Sequence, residues 1–142
     1  MKTVELSHTV RPSYDDIMSC LSPKDIVEYT ELFDIVSHEN VNGADHITVS
    51  FEDDEMELKF FEIDNGYEYT LVESSGLFAE RHSKITVSDG SETVVSARTE
   101  YTLDTRWSFV MDWLATPTVR QELEIMTKNL VFEAAEAESG TQ

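Results

Sequence analysis

Six consecutive segments between Leu32 and Leu103 alternate apolar and polar side chains with a period of two. This alternation is typical of β-strands that bury one face. Short turn-forming runs separate the segments, among them Asn42-Gly43 and Asn65-Gly66. Such connections join antiparallel neighbours, because a parallel crossover needs about a dozen or more residues. The centre of the chain is therefore predicted to be a six-stranded antiparallel meander.

A seventh strand and two short helices are predicted before the meander. Residues 3–10 alternate in the same way, and Pro12 ends the pattern. Ser13 precedes Tyr14-Asp15-Asp16, and Ser22 precedes Pro23. Each serine is therefore placed to cap the first turn of a helix, and proline suits the first helical position.

The chain after Leu103 is predicted to be helical. Residues 107–114 are apolar and predict a short helix or turn, and Thr116-Pro117 is a second start signal. A helix from Pro117 to about Ala137 would be roughly 30 Å long, which is similar to the width of six or seven strands at about 4.8 Å spacing. It can therefore lie across one face of the sheet. We predict one domain over residues 1–138 and a disordered tail over residues 139–142.

The charge of the chain limits its partners. Ten Lys and Arg residues stand against 29 Asp and Glu residues, so the formal net charge is −19. Nucleic acids and anionic membranes require a basic patch, and the sequence has none, so neither is an expected partner. The acids are spread along the chain, and their mutual repulsion is screened within about 3 Å in molar salt. The composition predicts a halophilic protein, with an ordinary acidic protein as the alternative.

Location and cofactors are limited by what the sequence lacks. Cys20 is the only cysteine, which excludes an internal disulfide and a four-cysteine metal site. The first ten residues lack the apolar core of a signal peptide, and no segment is long enough to span a bilayer. No phosphate loop, dinucleotide fingerprint or helical pair of histidine ligands is present. We expect a cytoplasmic protein, monomeric or dimeric, with no metal and no cofactor.

Three stretches resemble members of the START-like superfamily, also called SRPBCC, which includes polyketide cyclase-like proteins, the coenzyme Q-binding group and pollen allergens. They are VELSHTVRPSYDDIMSCLSPKDIVEYTELFDI near the start, the hairpins from YEYTLVESSG through HSKITVSDGSETVVSARTEYTL, and WLATPTVRQELEIMTKNLVFEAAE. The resemblance implies an α+β helix-grip fold, in which a seven-stranded antiparallel sheet wraps around a long C-terminal helix in the order β-α-α-β6-α.

The resemblance also implies a hydrophobic cavity between the sheet and the long helix. Members of the superfamily bind lipids, isoprenoids, quinones or polyketides there. Some are cyclases, dehydratases or hydratases, others only carry a ligand, and others act through protein contacts. Binding of a hydrophobic small molecule is the favoured function. A cyclase or dehydratase that stabilises an enolate is the first alternative, and a protein-interaction module without ligand is the second.

Strand alternation predicts which side chains face this cavity. Arg81 shares a face with apolar neighbours, and its planar guanidinium suits a carboxylate, a phosphate or an enolate. A rim position, or pairing with one of the many acids, is the alternative. The same alternation turns Ala79 and Phe51 inward. The predicted ligand-binding residues are Arg81, Tyr69, Tyr101, His8, Thr99, Trp113 and Met126.

No catalytic residue is predicted. A general base needs a positioned partner, and His8 has none that the sequence identifies, so a core histidine with satisfied nitrogens is the favoured interpretation. Cys20 has no visible activating base. Tyr69 and Tyr101 can supply hydroxyl groups to an apolar pocket, and their alternative is a purely structural place in the core.

Overall fold

The computed structural model describes residues 2–51, 54–74, 78–103 and 108–140, and within α3 it describes side chains from Thr116 to Ala137. The elements in chain order are β1 Lys2–Val10, α1 Tyr14–Ser19, α2 Pro23–Tyr29, β2 Asp34–Val41, β3 Ala44–Phe51, β4 Asp54–Ile63, β5 Gly66–Ser74, β6 Phe78–Asp89, β7 Thr93–Leu103 and α3 Ser108–Gly140.

The seven strands form one antiparallel sheet in the order β1-β7-β6-β5-β4-β3-β2. Strands β2 to β7 are a meander in which each strand pairs with the next. β1 closes the other edge by pairing with β7, where Val4 lies opposite Thr99. The predicted order of elements and the predicted helix-grip fold are confirmed.

The two serines cap the short helices as the sequence predicts, and the turn between β2 and β3 forms at Asn42-Gly43. The Ser13 hydroxyl accepts the backbone N–H of Asp16 at 3.2 Å, which caps α1. The Ser22 hydroxyl accepts the N–H of Asp25 at 3.1 Å, and Pro23 is the first residue of α2. At the tip of the β2–β3 hairpin, Asn42 and Gly43 both have positive φ, 54° and 86°. That pair of angles is typical of the tight turn that matches the twist of two antiparallel strands.

The predicted helix start at Thr116-Pro117 is wrong. α3 is one continuous helix of 33 residues, and Pro117 lies inside it. The hydroxyl of Thr116 does not act as a cap signal, because it pairs with the Tyr101 hydroxyl at 2.5 Å. Packing of the helix along the sheet thus offsets the cost of an internal proline, which is about 3 kcal/mol. The helix continues to Gly140, while residues 141–142 lie outside the described residues, so the disordered tail stays a prediction.

The core lies between α3 and one face of the sheet, here called the inner face. The buried stripe of α3 includes Val119, Leu123, Met126 and Leu130, which are each at most 1% exposed. The inner face supplies aliphatic side chains of similar burial from β1, β3, β6 and β7, and α1 and α2 close one side. The fully buried members are Val4, Ile17, Ile26, Ile47, Val49, Ile85, Val87 and Val95.

Two residues predicted to face inward do not. Ala79 is exposed, because the pairing of β6 with β7 shifts between Phe78 and Glu80 and breaks the alternation there. Phe51 is 39% exposed at the end of β3, where its ring makes an edge contact with Phe33 at a centroid distance of 6.2 Å. Alternation holds in strand centres and fails at bulges and strand ends.

Gly66 is a position where the sheet leaves no room for a side chain. A Cβ atom there would lie 1.9 Å from the backbone oxygen of Ile85 on β6. We expect Gly66→Ala to lower the free energy of unfolding by about 2–3 kcal/mol, since β5 and β6 must separate locally. The matched control is Gly90→Ala, whose Cβ would meet no atom closer than 3.9 Å. Urea unfolding of both variants tests this, and equal stabilities would contradict it.

Candidate ligand-binding site

An ion pair lies buried between the sheet and α3. β6 points Arg81 toward the core and α3 points Glu122 toward the sheet, and their side chains are 3% and 4% exposed. Nη2 of Arg81 donates a hydrogen bond to Oε2 of Glu122. Burial lowers the pKa of Arg81. The Glu122 carboxylate, Tyr69 and this hydrogen bond together raise the pKa by more than burial lowers it, so the net pKa is above its ordinary value. The guanidinium is therefore held charged and is neutralised inside the protein.

Tyr69 lies beside the ion pair. Its ring stacks on Phe60 with 4.6 Å between centroids, and its hydroxyl points to Sδ of Met126 at 3.9 Å. Burial raises the pKa of Tyr69 to about 12, and repulsion by the Glu122 carboxylate adds to the rise, while Arg81 and a hydrogen bond with Ser83 oppose it. The phenol is thus a neutral hydrogen-bond donor over the physiological pH range.

The raised pKa of Tyr69 makes stability depend on pH at the alkaline end. The folded pKa is about 12 against an ordinary value of 10.0, so the unfolded chain loses this proton first. The contribution is therefore fully present below pH 10 and declines as the pH rises toward about 12. Tyr69→Phe is expected to remove about 2 kcal/mol of the stability loss between pH 9 and pH 12.

Urea unfolding across that pH range measures the difference. Tyr14→Phe on α1 is the control for loss of a hydroxyl from a half-buried ring. If the free energy of unfolding depends on pH in the same way in Tyr69→Phe and in the unsubstituted protein, Tyr69 is not the group that causes the alkaline loss of stability.

Two further polar pairs continue along the inner face. The hydroxyls of Ser83 and Thr99 are hydrogen-bonded at 2.8 Å, with both residues buried. Beyond them, Tyr101 is fully buried and pairs with Thr116 of α3. Polar groups thus follow β6 and β7 through a core that is otherwise apolar.

A small void adjoins the ion pair. Its volume is about 10 Å³. It is bounded by apolar side chains that include Ile26, Phe33 and Phe60, and by the polar residues Arg81, Tyr69, Glu122 and Thr30. Nε of Arg81 is buried and has no hydrogen-bond partner among the residues that the structure describes. A void of this size holds about one water molecule. The site therefore presents one open N–H donor in a nearly filled interior.

The structure brings together some of the predicted ligand-binding residues. Arg81 and Tyr69 line this void, and Met126 contacts the Tyr69 hydroxyl. Thr99 lies one polar pair further along, and Tyr101 lies at the next pair. Trp113 belongs to α3, but its side chain lies outside the described residues. Binding of a ligand by these residues stays a prediction.

The interpretation of His8 as a core histidine is wrong. Its position on β1 follows the alternation, but the residue is exposed. It borders a groove of about 250 Å³ between β1 and α3, together with Glu124, Thr127, Lys128 and Val131. β1 is an edge strand, and α3 does not cover its end there. His8 is thus separate from the cluster around Arg81.

Sequence reasoning missed Glu122. It lies three residues after Val119 and four before Met126, which places it on the buried stripe of α3. An acid at an apolar position of a helix is a usable signal, but here it is one of 29 acids. Pairing with an acid was an open alternative for Arg81, and the structure supplies the acid.

Two other kinds of site are absent from the described part of the chain. The part of the chain that the structure describes contains no group of three or more His, Cys, Asp or Glu side chains that could hold a metal ion. Among its helices, none combines the length and the apolar character needed to cross a bilayer.

A seven-stranded antiparallel sheet that grips one long C-terminal helix defines the helix-grip class of α+β proteins. No family model matches the sequence, and no curated protein sequence matches it. Solved structures do match. A START superfamily protein from Mycobacterium smegmatis superposes with a TM-score of 0.72 at 11% identity, covering 95% of this chain and 98% of that one.

A synthase and a protein from a biosynthetic pathway are also similar in structure. Norcoclaurine synthase from Thalictrum flavum, solved as a point mutant with a transition-state analogue, has a TM-score of 0.69 at 20% identity, covering 96% of each chain. The di-domain ARO/CYC protein BexL, from the BE-7585A biosynthetic pathway, has a TM-score of 0.67 at 11% identity. This chain covers 49% of BexL, with 95% of its own length matched. The chain therefore has the START-like, or SRPBCC, fold.

Proposed function

We propose that the chain binds a hydrophobic small molecule, such as a lipid, an isoprenoid or quinone, or a polyketide-like compound, between the sheet and α3. One observation carries the proposal: Arg81, Tyr69 and Glu122 line a void whose other walls are apolar except for Thr30. Small-molecule sites combine apolar walls with a few polar groups that fix orientation. The fold supports the same function. A cytoplasmic monomer or dimer that binds no nucleic acid completes the proposal.

The ligand must enlarge the void, because about 10 Å³ accommodates only a single oxygen-sized group. Phe33 is the half-buried member of the lining, and it lies between the end of α2 and the start of β2. Its ring contacts the exposed Phe51 at its edge. We assign the access route to this corner, where rotation of one aromatic side chain connects the void with solvent.

The backbone beside Phe33 is held in place by α3. Nδ2 of Asn129 donates to the backbone oxygen of Tyr29 at 2.8 Å and to Oε2 of Glu31 at 3.1 Å. Glu31 itself has a positive φ of 55°, an uncommon conformation for this residue type. Because these contacts tie the end of α2 to α3, opening is assigned to the Phe33 side chain and not to a movement of α2.

A cyclase or dehydratase is the second candidate function, and the grouping of Tyr69, Arg81 and Glu122 favours it. A neutral phenol can donate a hydrogen bond to a forming enolate, a guanidinium can stabilise its charge, and a carboxylate can accept a proton.

A protein-interaction module without ligand has less support. Among the described residues, the large exposed apolar side chains are distributed over five elements: Val36 and Val41 on β2, Phe51 on β3, Phe61 on β4, Val72 on β5 and Phe132 on α3.

Native mass spectrometry of protein purified in molar salt tests the binding proposal. We expect a bound apolar compound that organic extraction releases and that rebinds to the emptied protein. Turnover of the extracted compound by the protein would favour the enzyme. Protein that carries no compound and takes up none of a panel of lipids, quinones and aromatic polyketides would contradict binding.

The assigned access route predicts the effect of Phe33→Ala. Removing the ring uncovers the void, so uptake and release of the neutral apolar dye Nile red should accelerate about tenfold or more. Stopped-flow fluorescence measures both rates. Phe61→Ala removes an exposed ring from the outer face of β4 and should leave the rates unchanged. Equal rates in both variants would place the access route elsewhere.

A further inference from the structure

We infer that the ligand of this site is uncharged and presents an acceptor oxygen, such as a ketone, ester or quinone carbonyl, to Nε of Arg81. The inference rests on the proposed function and specifies the chemical class of the ligand. It differs from the expectation that sequence gave Arg81, which was an oxyanion partner. The charges and hydrogen bonds around the void decide between the two.

The charge of Arg81 is already neutralised. Glu122 contacts the guanidinium, and both side chains are at most 4% exposed. A ligand carboxylate would be a second buried anion beside Glu122, and it would lose its hydration without finding a free cation. The chain as a whole carries −19, which opposes an anionic ligand further. The site therefore selects against negative charge.

What the site leaves open is a hydrogen-bond donor. Nη2 of Arg81 donates to Glu122, while its buried Nε finds no partner among the described residues, and Arg81 is one of the residues that line the void. One acceptor oxygen fits a space of about 10 Å³, where a water molecule also fits. A ligand that displaces such a water must replace its hydrogen bond, which an alkane cannot do.

Tyr69 supplies a second donor to the same oxygen. Its hydroxyl has Ser83 as one hydrogen-bond partner and the Met126 sulfur, at 3.9 Å, as another. A thioether is a weak acceptor, so a ligand oxygen can replace it. A carbonyl oxygen has two lone pairs and can accept from Nε of Arg81 and from the Tyr69 hydroxyl together. The apolar remainder of the ligand then lies against Phe60 and Ile26, toward Phe33.

Three ten-carbon probes test this inference: 2-decanone, decanoate and decane. Each displaces Nile red from the full chain in molar salt at pH 8, where nonspecific repulsion of decanoate is screened. We expect 2-decanone to bind at least as tightly as decane, although its carbonyl gives up hydrogen bonds to water, because the site replaces them. It should bind at least about tenfold more tightly than decanoate.

A pair of variants tests the role of Glu122. Glu122→Gln leaves the Arg81 charge without its counter-ion, so the preference should shift toward decanoate by about tenfold or more. Glu136→Gln makes the same change of charge at an exposed position of α3 and should keep the ranking of the unsubstituted protein. If Glu122→Gln does not fold, the ranking of the three probes by the unsubstituted protein still decides.

The outcomes separate the inference from the proposed function. Binding of 2-decanone about tenfold or more weaker than that of decane would show that its carbonyl finds no donor in the site. Tightest binding of decanoate would show an anion site. Either result overturns the inference while binding itself stands. Failure of Nile red and of all three probes to bind would instead contradict the proposed function.

Discussion

Replacing Glu122 by leucine is expected to lower the free energy of unfolding by about 3–5 kcal/mol, because the change leaves the Arg81 charge buried without a partner. Arg81→Met should cost a similar amount by leaving Glu122 alone. The double variant should recover most of the loss, since two apolar side chains in this position no longer require a counter-charge. Urea unfolding in molar salt provides all four free energies of the cycle.

The exposed pair Arg98–Glu100 is the control for this cycle. Its hydrogen bond is 2.5 Å long, but its side chains are 51% and 32% exposed. Glu100→Leu should therefore cost less than about 1 kcal/mol. Two results would contradict mutual neutralisation of Arg81 and Glu122. One is a loss of unfolding free energy in Glu122→Leu no larger than in Glu100→Leu. The other is a loss in the double variant equal to the sum of the losses in the two single variants.

Lowering the salt concentration from molar to millimolar is expected to destabilise the folded protein by several kcal/mol. The cause is repulsion within a net charge of −19, which is screened over about 3 Å in molar salt and over about 30 Å at 0.01 M. Such a loss would be a large share of the roughly 5–15 kcal/mol that stabilises a typical domain. Thermal unfolding followed by circular dichroism across the salt series measures it.

A charge-reduced variant serves as the control for the salt series. Replacing the four exposed residues Glu39, Glu73, Glu124 and Glu136 by glutamine changes the net charge from −19 to −19 + 4 = −15. Its dependence on salt should be weaker. A melting temperature that does not change with salt in the unsubstituted protein would remove the halophilic interpretation of the composition.

Most of the fold was predictable from the sequence, because it depends on local patterns. Period-two alternation identified the strands, and turns such as Asn42-Gly43 fixed their antiparallel order. Ser13 and Ser22 marked the two short helices. Thr116-Pro117 led to a wrong prediction. A Thr-Pro pair suits the start of a helix, but it does not exclude a helix that continues through the pair when tertiary packing stabilises it. The hydroxyl of Thr116 is used by Tyr101 across the core, and no local pattern shows that.

The candidate site was predictable only in part. Arg81, Tyr69 and Met126 could be placed on the inner face, since alternation and helical spacing report which way a side chain points. Glu122 could not be chosen from 29 acids, because its role depends on contact with a strand 41 residues away. His8 followed the alternation yet is exposed, since a pattern gives the face of a strand but not how far the helix covers it.

The central claim is that an uncharged apolar molecule binds inside the protein at Arg81. Methyl-labelled protein titrated with 2-decanone tests it most directly by nuclear magnetic resonance. We expect the methyl signals of Ile26, Val27 and Leu58, which line the void, to shift until saturation, while those of the exposed Val36 and Val72 stay in place. Shifts confined to Val36 and Val72, or no shifts at all, would contradict it.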